Sequence, residues 1–201
     1  LSGDREEGDA IAVALLSRLS DLAPVCFVNG NHEMCVERHQ PERYQKFMDD
    51  LKNGGVQVLH NETACFWIDG EKVAVTGYEL PWEYYRRFSR RHPSVVGMER
   101  SIGKRKQDAY QILLTHNPVF FEEYTAWGAD FTFAGHLHGG FIRLPYFGGV
   151  ISPQFQLFPK YDHGLYQMDT SSMVVGAGMG NHSGLFRINN PTEIVTVRIK
   201  R

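Results

Sequence analysis

Cysteine is scarce in this chain: Cys26, Cys35 and Cys65 are the only three in 201 residues, and their spacing is neither paired nor finger-like. A disulfide framework and a thiolate-rich structural zinc site are thereby excluded, and reduced, buried thiols in a cytosolic-type compartment are expected. No run approaches the roughly 18 apolar residues of a membrane span, and no signal-peptide pattern opens the sequence. The expected location is therefore cytoplasmic, or peripheral on the cytoplasmic membrane face. Repeats and low-complexity tracts are also missing. Neither charge sign is in marked excess, with Lys+Arg 21 against Asp+Glu 23 and a net charge of −2, so the molecule as a whole is not an obvious polyanion binder.

What is present is a hydrophobic fraction of 42%, enough for one sizeable core and a single expected domain over residues 1–201. Charge is unevenly spread. Between Trp82 and Lys106 eight cations face two acids, a local balance of +6, which leaves the rest of the chain at −8. Such a stretch is ordinarily a solvated face. Its sharper reading is that Arg86, Arg87, Arg90 and Arg91, interleaved with Trp82, Tyr84, Tyr85 and Phe88, meet an anionic membrane surface or a large phosphorylated substrate. A nucleic-acid partner is not expected, because that wants a longer basic track.

Helix and strand patterns alternate along the chain. Helices are expected from Asp9, as N-cap, to Leu22, from Pro41 to Lys52, and from Val95 to Lys106. Strands are expected at Val25–Val28, Val56–Leu59, Thr63–Ile68, Val73–Thr76, Tyr110–Thr115 and Phe131–Ala134, with an Asp69-Gly70 hairpin between the fourth and its predecessor. Met173–Val175 and Ile194–Val197 return to strand-like alternation. Polar strings stand at the ends of several strands: Gly30-Asn31-His32-Glu33, Thr115-His116-Asn117 and Gly135-His136-Leu137-His138-Gly139-Gly140. Gly3-Asp4 near the start resembles the end of another. In open α/β sheets that edge is where sites form.

Asp4, Asn31, His116, His136 and His138 offer carboxylate, amide oxygen and imidazole. Such mixed O/N donors suit Mn²⁺, Fe²⁺, Zn²⁺ or Mg²⁺. Two such cations about 3.5–4 Å apart would neutralise phosphoryl oxygens and supply a bridging hydroxide for in-line attack on a phosphate ester. A carboxylate such as Asp4 is the natural bridge. A histidine that binds no metal, for which His32 is the candidate, would stabilise the transition state or protonate the leaving oxygen. His39, His60, His92, His163 and His182 read as surface or packing residues, with His163 and His182 in Gly-rich segments held in reserve.

The ordered set Gly-Asp, Gly-Asn-His-Glu, Thr-His and Gly-His-x-His resembles the calcineurin-like metallophosphoesterase superfamily. With Gly139-Gly140, Ile142-Arg143-Leu144-Pro145 and the tail Asn189-Asn190-Pro191-Thr192-Glu193-Ile194, it is similar to the bacterial branch that includes membrane-associated phosphodiesterases and UDP-diacylglucosamine pyrophosphatases. The resemblance implies an α/β fold, a four-layer αββα sandwich of two mixed sheets flanked by helices. It implies a dinuclear centre of two divalent metal ions in which Asp4 bridges, Asn31, His116 and His136 complete one site, and His138 serves the other. It also implies hydrolysis of a phosphodiester or pyrophosphate bond in a phosphorylated small-molecule or lipid-linked substrate, with His32 as the catalytic non-ligand histidine. The family's opening Asp-x-His has no counterpart before Gly3. The expectation is an N-terminally incomplete domain lacking its first strand, about one βα unit or on the order of 30–50 residues. Glu7, at the position of a carboxylate that orients the catalytic histidine, is not assigned that role. The rival reading is a non-catalytic scaffold on the same fold that binds a protein partner, against which the retention of His32 argues.

Overall fold

A computed structural model describes residues 6–86, 91–139, 143–144, 148–149, 158–179 and 189–200. Asp4 with its opening string, Arg87, Phe88 and Arg90, Gly140 to Ile142, Pro145, the apolar loop Phe155 to Leu157, and His182 lie outside the described residues.

The main element is a six-stranded mixed sheet in the order β3-β4-β5-β6-β10-β9, formed by β3 (Thr63–Ile68), β4 (Glu71–Tyr78), β5 (Tyr110–Thr115), β6 (Phe131–Ala134), β9 (Gly164–Met168) and β10 (Ser171–Val175). The hairpin between β3 and β4 turns where expected: Asp69 (φ 51°) and Gly70 (φ 81°) both take the left-handed conformation that a tight two-residue turn requires. β4, β5, β6 and β10 run parallel, so their carboxyl ends share one edge.

Pairing sorts the side chains into two faces. Ala74, Thr76, Tyr78, Leu113 and Met173 point one way. There α4 (Val95–Ile102) and α5 (Phe121–Trp127) cover them, with Met98, Ile102, Phe120, Tyr124 and Trp127 closing the core. On the other face Val75, Ile112 and Gly77 come forward, and Leu59 lies so close to Gly77 that a Cβ there would stand 2.4 Å from the Leu59 carbonyl oxygen. Only glycine lets the layers approach this far.

Leu59 follows the second, smaller sheet, the parallel pair β1 (Cys26–Phe27) and β2 (Gln57–Val58), with register Cys26↔Gln57 and Phe27↔Val58. Outside it pack α1 (Glu6–Ser20) and α3 (Pro41–Asn53), whose Phe47, Met48 and Leu51 join Val13, Leu16, Val36 and Val58 in a separate cluster. Helices, the large mixed sheet, the small parallel pair and more helices thus follow one another, as the fold-class expectation requires; only two strands represent the second sheet among the described residues, and β7 (Arg143–Leu144) and β8 (Gly148–Gly149) form a separate short antiparallel pair.

Several local expectations are corrected. Asp9 lies inside α1 instead of capping it, because its carboxylate is held by the Arg43 guanidinium at 2.6 and 2.9 Å. The last expected helix stops at Ile102, where Gly103 (φ 76°) turns the chain. Ile194–Val197 forms no strand; the tail runs along the sheet, where Val195 and Val197 line an open cleft of about 640 Å³ together with Tyr110, Phe131, Leu165 and Val174. Its alternating residues line that cleft and do not pair at a sheet edge. The three cysteines are free thiols, but Cys35 and Cys65 are exposed and only Cys26 is half-buried.

Candidate metal centre

The carboxyl ends of β5 and β6 bring two of the sequence strings together. The Gly135 N–H donates to the His116 carbonyl at 3.1 Å, so the turn after β6 is tied to the residue that ends β5. Asn117 then fixes the His116 turn: its side chain caps Val119 N–H at 3.1 Å, while the buried Tyr124 hydroxyl donates to its carbonyl at 2.7 Å. In the next turn it is the histidines and not only the glycines that take the left-handed conformation, with φ 63° at His136 and 50° at His138. That geometry costs a non-glycine residue about 1 kcal/mol or more and is characteristic of functional turns. Leu137, fully buried between them, holds the turn down, and Asn190 from the tail donates to the His138 carbonyl.

The third string arrives from the small sheet. In sequence Gly30-Asn31-His32-Glu33 stands at the end of a strand, and in the structure Asn31–His39 is helix α2 with Gly30 as N-cap. Glu33 makes the difference. Its buried carboxylate accepts the Gly30 N–H at 2.7 Å, satisfying a helix-start donor and winding Asn31 and His32 into the first turn. Gly30 itself lies flat against the His116 ring, where a Cβ would stand 2.9 Å from three ring atoms.

These elements converge. His136 Nδ1 lies 3.1 Å from Asn31 Oδ1, and the His116 and His136 rings meet edge to face with centroids 5.0 Å apart. Tyr85, on the one-turn 3₁₀ segment Trp82–Tyr85, walls the group off, its ring 5.3 Å from His136 and 6.2 Å from His116. Sequence reasoning missed Tyr85 as part of the site, because nothing distinguishes it from its neighbours in a basic, aromatic stretch. Burial pushes the His116 imidazole down to about 4; Glu33 opposes this, and His138 and His32 add to it. The ring is therefore neutral near pH 7, the form in which imidazole binds metals. His116 Nε2 is enclosed and has no hydrogen-bond partner among the described residues.

A neutral imidazole with an orphaned nitrogen, beside a second imidazole and an amide oxygen, fits the donor set of a divalent cation. Among the described residues no three His, Cys, Asp or Glu side chains form a complete metal cluster, and Asp4 lies outside them. His138 and His32 sit within electrostatic reach of His116, one on the β6 turn and the other on α2.

Residues 3–140 match the family described as calcineurin-like phosphoesterase, and the chain belongs to that family. It is 28% identical over 156 residues to the Bacillus subtilis protein YpbG, covering 74% of this chain and 53% of YpbG. It is 24% identical over 185 residues to the Escherichia coli phosphodiesterase YaeI, covering 92% of this chain and 62% of that protein. To the Chlamydia trachomatis UDP-2,3-diacylglucosamine pyrophosphatase LpxG it is 25% identical over 158 residues, covering 74% and 43% respectively. The chain thus spans about half the length of these relatives. No solved structure gives a significant match.

Proposed function

We propose that this protein is a metal-dependent phosphohydrolase that cleaves a phosphodiester or pyrophosphate bond, using two divalent ions of the Mn²⁺, Fe²⁺, Zn²⁺ or Mg²⁺ kind. Asp4, Asn31, His116, His136 and His138 would hold them. Bound there, the ions would neutralise charge on the phosphoryl oxygens and acidify water. The observation that supports this reading is the meeting of His116, His136 and Asn31 at one edge, with His116 neutral and its Nε2 enclosed without a partner.

The chain's own residues supply the rest. Asn31 presents its amide oxygen on a helical turn clamped by Glu33, and Tyr85 excludes water from one side of the two rings. His32, next to Asn31, would hold a proton for the departing oxygen. The phosphodiesterase and pyrophosphatase relatives, one named for a diacylated sugar nucleotide, favour a phosphorylated small molecule or a lipid-linked substrate. Arg86 directly follows Tyr85 at the wall of the site and is exposed, and Arg91 is exposed while paired with Glu83 at 2.6 Å. In this reading Arg86, Arg87, Arg90 and Arg91 meet the anionic headgroup layer and the protein works peripherally at a membrane. No helix among the described residues is long and apolar enough to cross one.

Two measurements test these statements. The purified protein is expected to take up at least one equivalent of Mn²⁺ in equilibrium dialysis and to hydrolyse a generic aryl phosphodiester only with metal present; uptake below one equivalent ends the reading. Sedimentation with vesicles containing anionic lipid is expected to drop when the four arginines are reversed to glutamate. Unchanged sedimentation would remove the membrane from the account.

A further inference from the structure

Beside the metal centre, and outside every role given above, is a polar cluster built on Asn29. Its side chain is among the most enclosed in the molecule, 1% exposed, and sits one residue before Gly30. The Asn29 amide donates to the Tyr44 hydroxyl of α3 at 2.7 Å, while its Oδ1 is buried with no partner among the described residues. On its other side stands His60. The register of the small parallel sheet explains why: Cys26 faces Gln57 and Phe27 faces Val58, so two residues on, Asn29 and His60 are lateral neighbours. His60 Nδ1 lies 3.4 Å from the Asn29 amide nitrogen and 2.9 Å from Glu79 Oε1.

The shorter contact fixes the tautomer. A proton on Nδ1 donates to the carboxylate, and the Asn29 amide nitrogen, itself a donor, meets the same ring only in packing contact at 3.4 Å. Glu79 is itself held, since its N–H donates to Asn61 Oδ1 at 2.9 Å, and Asn61 takes φ 55° to turn the chain there. Leu59 N–H donates to the Phe27 carbonyl at 2.8 Å, which pins the residue before His60. Two elements thus meet the Asn29 side chain, α3 through the Tyr44 hydroxyl and the end of β2 through the His60 ring, and the end of β4 holds that ring through Glu79. Asn29 carries the turn that presents Asn31 and His32.

We propose that His60, seated on Glu79, is a positioning residue: through Asn29 it holds the turn Gly30–Glu33 in the conformation that aims Asn31 at His136. From sequence His60 resembles a surface or packing histidine, and no contact of His60 with the metal centre is involved. Groups that support ligands from behind commonly change metal affinity by about tenfold or more. The metal part of the test rests on the reading under Proposed function; the backbone part does not.

The test compares wild type, His60→Leu and His60→Asn in the full chain. Asn can place its amide nitrogen where Nδ1 stands, whereas Leu keeps bulk without a donor. Amide hydrogen exchange of the segment 29–34, followed by mass spectrometry after chelator treatment, is expected to be several-fold faster in His60→Leu and near wild type in His60→Asn. In the same proteins Mn²⁺ affinity by equilibrium dialysis is expected to fall about tenfold with Leu and within twofold with Asn. Exchange in His60→Leu that matches wild type overturns the proposal, as does equal loss in both variants. If wild type binds no Mn²⁺, the functional reading fails while the exchange data still decide the role of His60.

Discussion

Replacing His32 by alanine is expected to lower turnover of an aryl phosphodiester by roughly 10²–10⁴-fold while leaving Mn²⁺ uptake as in wild type. Replacing His116 by alanine is expected to lower both together. The contrast follows from placement. His116 follows β5 with its Nε2 enclosed and without a partner among the described residues, so its loss would empty a proposed donor position and also vacates the space against which Gly30 is seated. His32 lies on the first helical turn next to Asn31, and in the proposed reading its removal takes away a proton carrier while the His116–His136 ring pair stays in place. Steady-state kinetics and equilibrium dialysis on the same preparations check both halves. Undiminished turnover in His32→Ala would remove that residue from the chemistry.

A second large effect is expected in acid. The folded protein holds the His116 imidazole near 4 against an ordinary 6.5, chiefly because burial disfavours its charged form. A histidine depressed on folding contributes stability that is complete above the unfolded value and lost as pH falls. Below about 4 both states are protonated and the loss stops. Across that window metal-free protein should lose as much as about 3 kcal/mol from this group. His60 acts with the opposite sign: its hydrogen bond to Glu79 raises it, so its contribution is present below 6.5 and fades as pH rises through the raised value. Urea unfolding of chelator-treated wild type and His116→Asn from pH 7 to 4 separates the two. The variant should show the flatter dependence, since the His60 contribution is common to both; parallel curves would refute the assignment to His116.

Most strands were legible because short apolar runs ended at polar strings, and Asp69-Gly70 announced its hairpin in two residues. The gathering of Asn31, His116 and His136 was legible as an ordered set. What escaped was decided by partners distant in sequence. Asp9 looks like a helix cap until Arg43, 34 residues on, claims its carboxylate. Gly30 to Glu33 looks like loop until Glu33 folds back on Gly30 N–H. Ile194 to Val197 has a strand's alternation, but alternation cannot tell a segment pairing at an edge from one lying across a face. Tyr85 and the Asn29–His60 neighbourhood carry no local signal at all. Each exists because separate elements end at the same place.

That Asn31 opens a helix and not a loop has a mechanical consequence. Helix α2 has nine residues, a rod about 13 Å long at 1.5 Å per residue. Pivoted at its far end by 10°, such a rod sweeps its first residue through roughly 2 Å, while a displacement of about 1 Å at a reacting centre can cost a hundredfold in rate. The packing of Val36 among Tyr44, Phe47 and Met48 therefore does more than seal a core. It is the bearing of a lever, and substitutions there, far from any proposed ligand, would be felt at Asn31 as an error of aim.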